Sequence, residues 1–182
     1  MEVNAMQLNP TLHTQRFTLT PISDSPESNG HLIEMMQDDA VQRYVRGHAF
    51  TDKEVLEGLE RFHRLNNANG QGYWLIWDER QVCAGMCLLK AMPTAERTDH
   101  IETGYWLKPE FWGQGIAGEV ATRMVQYAFE ELGLAKVTEV VDEENIGSIK
   151  SLERAGLTRR GKIVAYEQLL PFYQIDNPNS SD

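Results

Sequence analysis

The sequence predicts a single domain, spanning residues 1–182, of the α+β or mixed α/β layered class. Its 182 residues, 41% of them hydrophobic, suffice for one sizeable core and are few for two, since domains usually run to ~100–200 residues. Hydrophobic periodicity predicts the order strand, two helices, three strands, helix, strand, helix, two strands, and this order indicates the fold class. No repeat or linker interrupts it, and we expect flexibility only at the ends, about residues 1–9 and 177–182.

The first half of the chain is predicted to hold one strand, two helices and a hairpin. Residues 16–21 alternate apolar and polar side chains and stop at Pro21, which is typical of a strand. A turn-rich stretch at 24–30 precedes a helix over 31–39, and apolar residues at helical spacing predict a second helix over 52–66, capped by Thr51 or Asp52. Strands over 73–77 and 82–89 flank a polar turn and form the hairpin.

The second half is predicted to continue with a strand over 101–107, after a polar loop at 93–99. A long helix over 117–132 repeats apolar residues at i, i+3 and i+4, and Gly133 ends it. A strand over 136–141 and a short helix over 146–154 follow. The chain then forms a terminal hairpin over 157–174, which turns around Glu167 and Gln168.

Composition restricts the class of partner and the compartment. Seventeen basic residues against 27 acidic ones give a net charge of −10, which opposes binding to a nucleic-acid backbone. No apolar run approaches the ~18 residues that a membrane span needs, so we expect a cytoplasmic protein with no membrane partner. The two cysteines, Cys83 and Cys87, are predicted to lie buried on one face of a strand, unbridged, which suits a reducing compartment.

A glycine-rich loop precedes the long helix and predicts a phosphate site. Gly113, Gly115 and Gly118 let the backbone approach an anion, and the first turn of a helix offers unpaired N–H groups at its positive end. The same glycines match a dinucleotide fingerprint, with Glu139 ~20 residues further on. A proline-containing spacer between strand and loop argues against that alternative, and a glycine turn with no ligand also stays open. No Lys-Ser or Lys-Thr pair follows, which excludes a Walker-type loop.

Several ordered motifs resemble those of the GNAT N-acetyltransferases, and more narrowly the ribosomal-protein N-acetyltransferase (RimJ/RimL-like) branch. They are TQRFTL at 14–19, ETGYWLKP at 102–109, FWGQG at 111–115, YAFEELGL at 127–134, DEENIGS at 142–148 and LERAGL at 152–157. Trp112 at the head of the loop agrees with this branch and departs from the wider superfamily, and Leu157 stands where Phe is common.

The resemblance implies a mostly antiparallel, twisted sheet of about seven strands with about four flanking helices. The fourth and fifth strands, over 101–107 and 136–141, would splay apart to admit the pantetheine arm of acetyl-CoA. The resemblance gives Asn145 a contact with that arm, although the same amide would serve as a helix cap. Backbone groups would bind the rest of the co-substrate: Trp106 and Leu107 the acetyl and pantetheine groups, and Gly113, Gln114, Gly115, Ile116, Ala117 and Gly118 the pyrophosphate.

Three side chains are candidates for the acid and base of an acetyl transfer. By resemblance, Ser148 faces the sulfur as general acid, unless it only caps its helix. Glu102, in a strand next to the expected acetyl group, is the first candidate base, unless it is a solvated carboxylate on the strand surface. Glu167 matches, by its spacing from Ser148, a base proposed for this branch, unless it is simply exposed. The five histidines show no metal-ligand spacing, so no metal is expected, and His100 is predicted to lie at the surface.

The predicted function is transfer of the acetyl group of acetyl-CoA to a primary amine, by direct attack in a ternary complex. A protein or peptide N-terminus is the leading acceptor. A small amine (a polyamine or an antibiotic) and a non-catalytic CoA-binding module are the alternatives. Both a monomer and a homodimer are compatible with the sequence.

Overall fold

A computed structural model describes residues 8–67, 69–94 and 99–180. Within these ranges eight strands form one sheet, in the order β1-β2-β3-β4-β5-β6-β8-β7. The strands are β1 (Leu12–His13), β2 (Thr18–Pro21), β3 (Gly72–Trp77), β4 (Cys83–Ala91), β5 (Ile101–Leu107), β6 (Lys136–Val140), β7 (Thr158–Ala165) and β8 (Gln168–Asp176). The α-helices are α1 (Pro26–Met36), α2 (Asp39–Gln42), α3 (Asp52–Leu65), α4 (Ile116–Gln126) and α5 (Ile146–Arg154).

The predicted fold class is confirmed, with one more strand and one more helix than expected. The additions are the two-residue β1 and the four-residue α2, which are too short to show a hydrophobic period. No helix within the described ranges has both the length and the apolar composition needed to cross a bilayer.

Two halves of the sheet meet at β5 and β6. All other neighbouring strands are antiparallel, whereas β5 and β6 are parallel, and in the described part of the chain their one paired position joins Glu102 to Thr138. The two strands therefore part beyond Glu102, as the predicted splay requires. A mostly antiparallel sheet also differs from the doubly wound parallel sheet of a dinucleotide-binding domain, so that alternative is wrong.

Helices cover both faces of the sheet and bury two hydrophobic clusters. The first lies under α4 and α5 and includes Leu19, Trp74, Val120, Met124 and Leu152. The second lies under α1, α2 and α3 and includes Leu32, Met36, Phe62, Tyr73 and Met86. Side chains of β5 alternate between these clusters, so that Tyr105 packs against the first and Trp106 against the second.

Two helix boundaries differ from the prediction. Helix α1 begins at Pro26 and not at residue 31, because Ser25 caps it by accepting a hydrogen bond from the Ser28 N–H. The helix predicted to run to residue 132 is α-helical only to Gln126 and continues as a π-helical turn over Tyr127–Glu131. By contrast, α3 begins where expected, with Thr51 as its cap.

The two cysteines are buried as predicted, but they lie on opposite faces of the sheet. The register between β3 and β4 shifts, since Ile76 pairs with Gly85 while Trp77 pairs with Cys83. This bulge at Ala84 interrupts the alternation of side chains. Cys83 consequently joins the cluster under α1 to α3, and Cys87 joins the cluster under α4 and α5.

Residues near both predicted flexible ends are bonded to the folded body. The Asn9 side chain is buried and donates to the Gln71 carbonyl at 2.9 Å. The Asn177 backbone N–H donates to the Ala135 carbonyl at 2.8 Å. The remainder of the predicted ends, at 1–7 and 181–182, and most of the predicted loop at 93–99 lie outside the described residues.

Candidate active site

The glycine loop joins β5 to α4 and exposes the amino end of that helix. A short 3-10 turn over Pro109–Phe111 separates the strand from the loop. Gly113 and Gly115 have φ of +72° and +74°, a left-handed conformation that glycine adopts without steric cost. Because Gly115 caps α4 without a side chain, no cap bonds the N–H groups of the first turn. These N–H groups and the helix dipole form an anion-binding surface.

Two guanidinium groups add positive charge beside the loop. Arg16 donates to the Gln114 carbonyl at 3.0 Å and to the Glu119 carboxylate at 2.7 Å, which fixes the loop to α4. The Arg154 Nη1 atom lies 3.3 Å from the position that a Cβ on Gly115 would occupy. Neither arginine was predicted as a site residue, because its approach to the loop depends on how β2 and α5 pack around α4.

A cavity of about 460 Å³ extends from the glycine loop to the diverging edge of β5. An adjoining groove contains Gln114 and Gly118 together with Arg16 and Arg154. The cavity is also bordered by a segment that the sequence did not indicate, with Ala40, Val41, Tyr44 and Val45. Ser148 lines the cavity. Most of the predicted co-substrate residues line it as well: Trp106, Leu107, Gly113, Gly115, Ile116, Ala117 and Asn145.

The hydroxyl groups of Ser148 and Tyr105 form a pair within this cavity, 2.7 Å apart. Asn145, and not Ser148, supplies the helix cap, since its Oδ1 accepts from the Ser148 N–H at 3.2 Å. Burial is the main cause of the raised pKa of Tyr105, so that the phenol keeps its proton near neutral pH. The Ser148 hydroxyl is therefore not used as the helix cap and pairs with the Tyr105 hydroxyl.

Glu102 lies on the other face of β5, next to the second cluster. Its side chain accepts hydrogen bonds from both Lys90 and Tyr166. The residue is only 4% exposed, so the alternative of a solvated carboxylate on the strand surface is wrong. Glu102 is also the last residue of β5 that pairs with β6, which puts it where the two strands begin to part.

Comparison with known proteins identifies the family. The model of the acetyltransferase (GNAT) domain matches residues 16–158. The chain belongs to the GNAT acetyltransferase family. An Aspergillus fumigatus relative, the FsC-acetyl coenzyme A-N(2)-transacetylase, is 35% identical over 84% of this chain and 67% of its own length. This GNAT protein is accordingly an acetyl-CoA-dependent N-acetyltransferase.

Solved structures of low sequence identity have the same fold. RimL, a ribosomal L7/L12 α-N-protein acetyltransferase in complex with coenzyme A, aligns with a TM-score of 0.74 at 16% identity, over 96% of this chain and 100% of its own. The spermidine N-acetyltransferase of Vibrio cholerae, in complex with CoA and spermine, aligns with a TM-score of 0.70 at 20% identity, over 89% and 96%.

Glu167 is the predicted site residue that stands apart from the others in this GNAT enzyme. It occupies the turn between β7 and β8 with an exposed side chain and a φ of +60°. Tyr166, which precedes it in the same turn, is the residue that reaches Glu102. The turn was predicted around Glu167 and Gln168, one residue later than the structure has it, and the sequence did not indicate that Tyr166 contacts Glu102.

A second buried carboxylate, Glu139, was not predicted as a site residue. It lies on β6, and its Oε2 atom has no hydrogen-bond partner in the described part of the chain. Burial, and then the charge of Glu102, raise its pKa well above the usual range. The sequence had indicated Glu139 only as the acidic residue of the dinucleotide alternative.

His100 is buried and not at the surface as predicted. It precedes β5, is 3% exposed, and packs the edge of its ring against Phe172 of β8, with ring centroids 6.1 Å apart. Because histidine is polar, the sequence alone did not indicate that His100 lies in the core. Over the described ranges, no group of three or more His, Cys, Asp or Glu side chains could hold a metal ion.

Proposed function

We propose that this GNAT enzyme transfers the acetyl group of acetyl-CoA to the α-amine of a protein or peptide N-terminus, by direct attack within a ternary complex. The observation that carries the proposal is the continuity of one cavity. It begins at the uncapped amino end of α4 and ends at the paired hydroxyls of Tyr105 and Ser148. A phosphate-bearing co-substrate bound at the first end would present its thioester to the second.

The residues of the cavity fit coenzyme A by charge and by hydrogen bonding. In the proposal, the N–H groups of the loop hold the pyrophosphate, with the guanidinium groups of Arg16 and Arg154 beside it. The open backbone edge of β5 at Trp106 and Leu107 binds the pantetheine arm and the acetyl carbonyl. Asn145 uses its Oδ1 as a cap, which leaves its Nδ2 group free to donate to that arm.

The two faces of β5 suggest how the protons move. The amine nitrogen attacks the acetyl carbon, a C–N bond forms, and the C–S bond breaks. Ser148 donates a proton to the departing thiolate and regains one from solvent through the Tyr105 hydroxyl, which passes on one proton and receives another. The proton released by the nitrogen goes to Glu102 on the opposite face, where β5 and β6 part. Glu167 is the second candidate for that proton, because it lies beside Tyr166 in the hairpin turn.

The relatives support two classes of acceptor. RimL is described as an α-N-protein acetyltransferase, which agrees with an N-terminal acceptor. The Vibrio cholerae structure is described as a spermidine N-acetyltransferase, which makes a small amine the second candidate. Both acceptors would enter from the face of the sheet that carries Glu102.

The experiment combines ligand binding with turnover. A ligand bound only by the folded state raises the melting temperature, so acetyl-CoA and CoA should raise it while NAD and ATP should not. Mass spectrometry should then detect an acetyl group on the N-terminus of an unblocked peptide and none on the same peptide blocked at its N-terminus. Binding without turnover on any amine would mean a non-catalytic CoA-binding module. An acetylated enzyme side chain on the pathway would contradict direct transfer.

A further inference from the structure

The Lys90 ammonium is fully engaged by other groups of the protein. Its Nζ contacts the Glu102 carboxylate, the Tyr166 hydroxyl at 2.8 Å and the Ala91 carbonyl at 3.4 Å. An ammonium has three N–H donors, and each has an acceptor here. The Lys90 side chain is 13% exposed and that of Glu102 is 5% exposed. The positive charge is therefore fixed in position and shielded from solvent.

Under the proposed function, the acceptor amine approaches the thioester from the face of β5 that carries this ion pair. Lys90 and Glu102 face each other across β4 and β5, on the side covered by α1 to α3. Tyr105 and Ser148 lie on the other side, so the leaving thiol and the incoming amine have separate faces. β5 and β6 pair only at Glu102 and Thr138 in the described part of the chain, and in the proposal the second face reaches the reacting carbon where these strands part.

Two tyrosines and a second carboxylate surround the pair in the described part of the chain. Tyr166 and Tyr73 have pKa values raised chiefly by burial, and also by the charge of Glu102. Burial, and then the charge of Glu102, raise the pKa of Glu139. Arg61 of α3 also acts electrostatically on this cluster, through Tyr73. Lys90 is the ion-pair partner of the Glu102 carboxylate.

We propose that Lys90 is the residue that determines acceptor specificity, and that it selects α-amines over strongly basic amines. The inference rests on the proposed acetyl transfer. A protonated amine entering this face would meet a like charge and a carboxylate that is already paired. The acceptor must therefore arrive uncharged. Once it has attacked, its nitrogen is far more acidic, and the paired Glu102 can accept that proton.

The size of the selection follows from ordinary amine chemistry. An α-amino group has a pKa of about 7.7–8.0 and a lysine amine about 10.4, so at pH 7 their uncharged fractions differ roughly 300-fold. The net charge of −10 would by itself draw polycations to the protein. Discrimination against them then falls to the Lys90 ion pair, which leaves Glu102 without a free negative charge to attract an ammonium.

The test uses one peptide with a free N-terminus and one internal lysine, acetyl-CoA, and mass spectrometry to locate the acetyl group. Wild type should acetylate the α-amine at least 100-fold faster than the lysine amine at pH 7. Lys90→Met should lower that ratio at least tenfold, because the freed Glu102 can bind and deprotonate an ammonium. Lys90→Arg should keep the ratio. Lys136→Met is the matched control, since Lys136 also pairs with a carboxylate, Asp99 at 2.9 Å, and is 18% exposed.

Wild type alone gives a second test that needs no variant to fold. The α-to-lysine ratio should fall roughly tenfold between pH 7 and pH 9, as the lysine amine becomes uncharged. A flat ratio would contradict the requirement for an uncharged acceptor, on which the role of Lys90 depends. An unchanged ratio in a Lys90→Met protein that still binds CoA would overturn the assignment to Lys90. Acetylation of neither amine would instead contradict the proposed function on which the inference rests.

Discussion

The side-chain hydroxyl of Tyr105, on β5, lies 2.7 Å from that of Ser148, on α5, across the cavity. The contact joins the sheet to the helix that follows the splay, and it orients Ser148 by its side chain. Because Asn145 caps α5 separately, substitution of Ser148 can remove the hydroxyl without removing the cap. Catalytic and structural roles at this position can therefore be separated by experiment.

Ser148→Ala should lower kcat by roughly 10²–10⁴-fold, the usual contribution of a positioned general acid. The KM for acetyl-CoA should change little, since the loop and its arginines are untouched. Steady-state kinetics with an N-terminal peptide measures both constants. Tyr105→Phe, which keeps Ser148 but removes its proton source, should lower kcat by less. A kcat equal to that of wild type in Ser148→Ala would exclude the general-acid role.

Gly115→Ala should raise the KM for acetyl-CoA about tenfold. Alanine at a φ of +74° costs roughly 1–2 kcal/mol, and its Cβ would displace the Arg154 guanidinium from 3.3 Å. The matched control is Gly133→Ala, where φ is +64° and an added Cβ meets nothing within 4 Å. It imposes similar backbone strain far from the loop. An equal effect of both variants on KM would refute a binding role for the loop.

The sequence predicted those elements that have a local signal, such as hydrophobic periodicity, a capping residue or a glycine pattern. The strands of the central hairpin, the capped α3 and the glycine loop before α4 have such signals, and the structure has them where expected. The face on which a strand side chain lies depends on register with a neighbouring strand. One extra residue at Ala84 was enough to move Cys83 to the other face, and no local pattern encodes such a bulge.

Glu139→Gln should make the protein more stable at neutral pH. Burial and the charge of Glu102 raise the folded-state pKa of Glu139, so the folded chain keeps a proton that the unfolded chain has released. Its stabilising contribution is complete below the unfolded pKa of about 4.3 and is lost as pH rises through the folded value, by up to about 1.4 kcal/mol per pH unit.

Chemical denaturation of both proteins from pH 4 to pH 8 measures the difference in the free energy of unfolding. The advantage of Glu139→Gln over wild type should grow with pH across this window and disappear at its acidic end. A difference that stays constant across the series would show that Glu139 is ionised in the folded protein.

Gly85→Ala should destabilise the protein by roughly 1–3 kcal/mol, the usual cost of overpacking a core. Its Cβ would lie 2.1 Å from the Trp106 carbonyl oxygen and 3.0 Å from the Leu107 Cα, so β5 would have to move. Gly104→Ala on β5 is the control, because its Cβ would meet only the Leu88 side chain, at 3.4 Å. Thermal unfolding compares the two, and equal melting temperatures would contradict this account.

The parts of the site that are formed by backbone groups could be predicted from the sequence. The parts that depend on contacts between distant side chains could not. The loop and the edge of β5 follow from glycine spacing and from a strand that ends before a helix. The pairing of Lys90 with Glu102 and Tyr166 joins two neighbouring strands to a hairpin turn more than sixty residues away, and only the packed structure brings these groups together. The same holds for Arg154, whose motif gave no indication that it approaches Gly115.

The placement of Cys83 and Cys87 on opposite faces gives the protein two built-in reporters of unfolding. They are the only cysteines in the chain, each is at most 2% exposed, and burial raises the pKa of both thiols. A thiol-alkylating reagent should therefore leave the native protein unlabelled. Each face of the sheet would become reactive only when its own covering helices open, so the order in which the two sites are labelled would show which layer separates first.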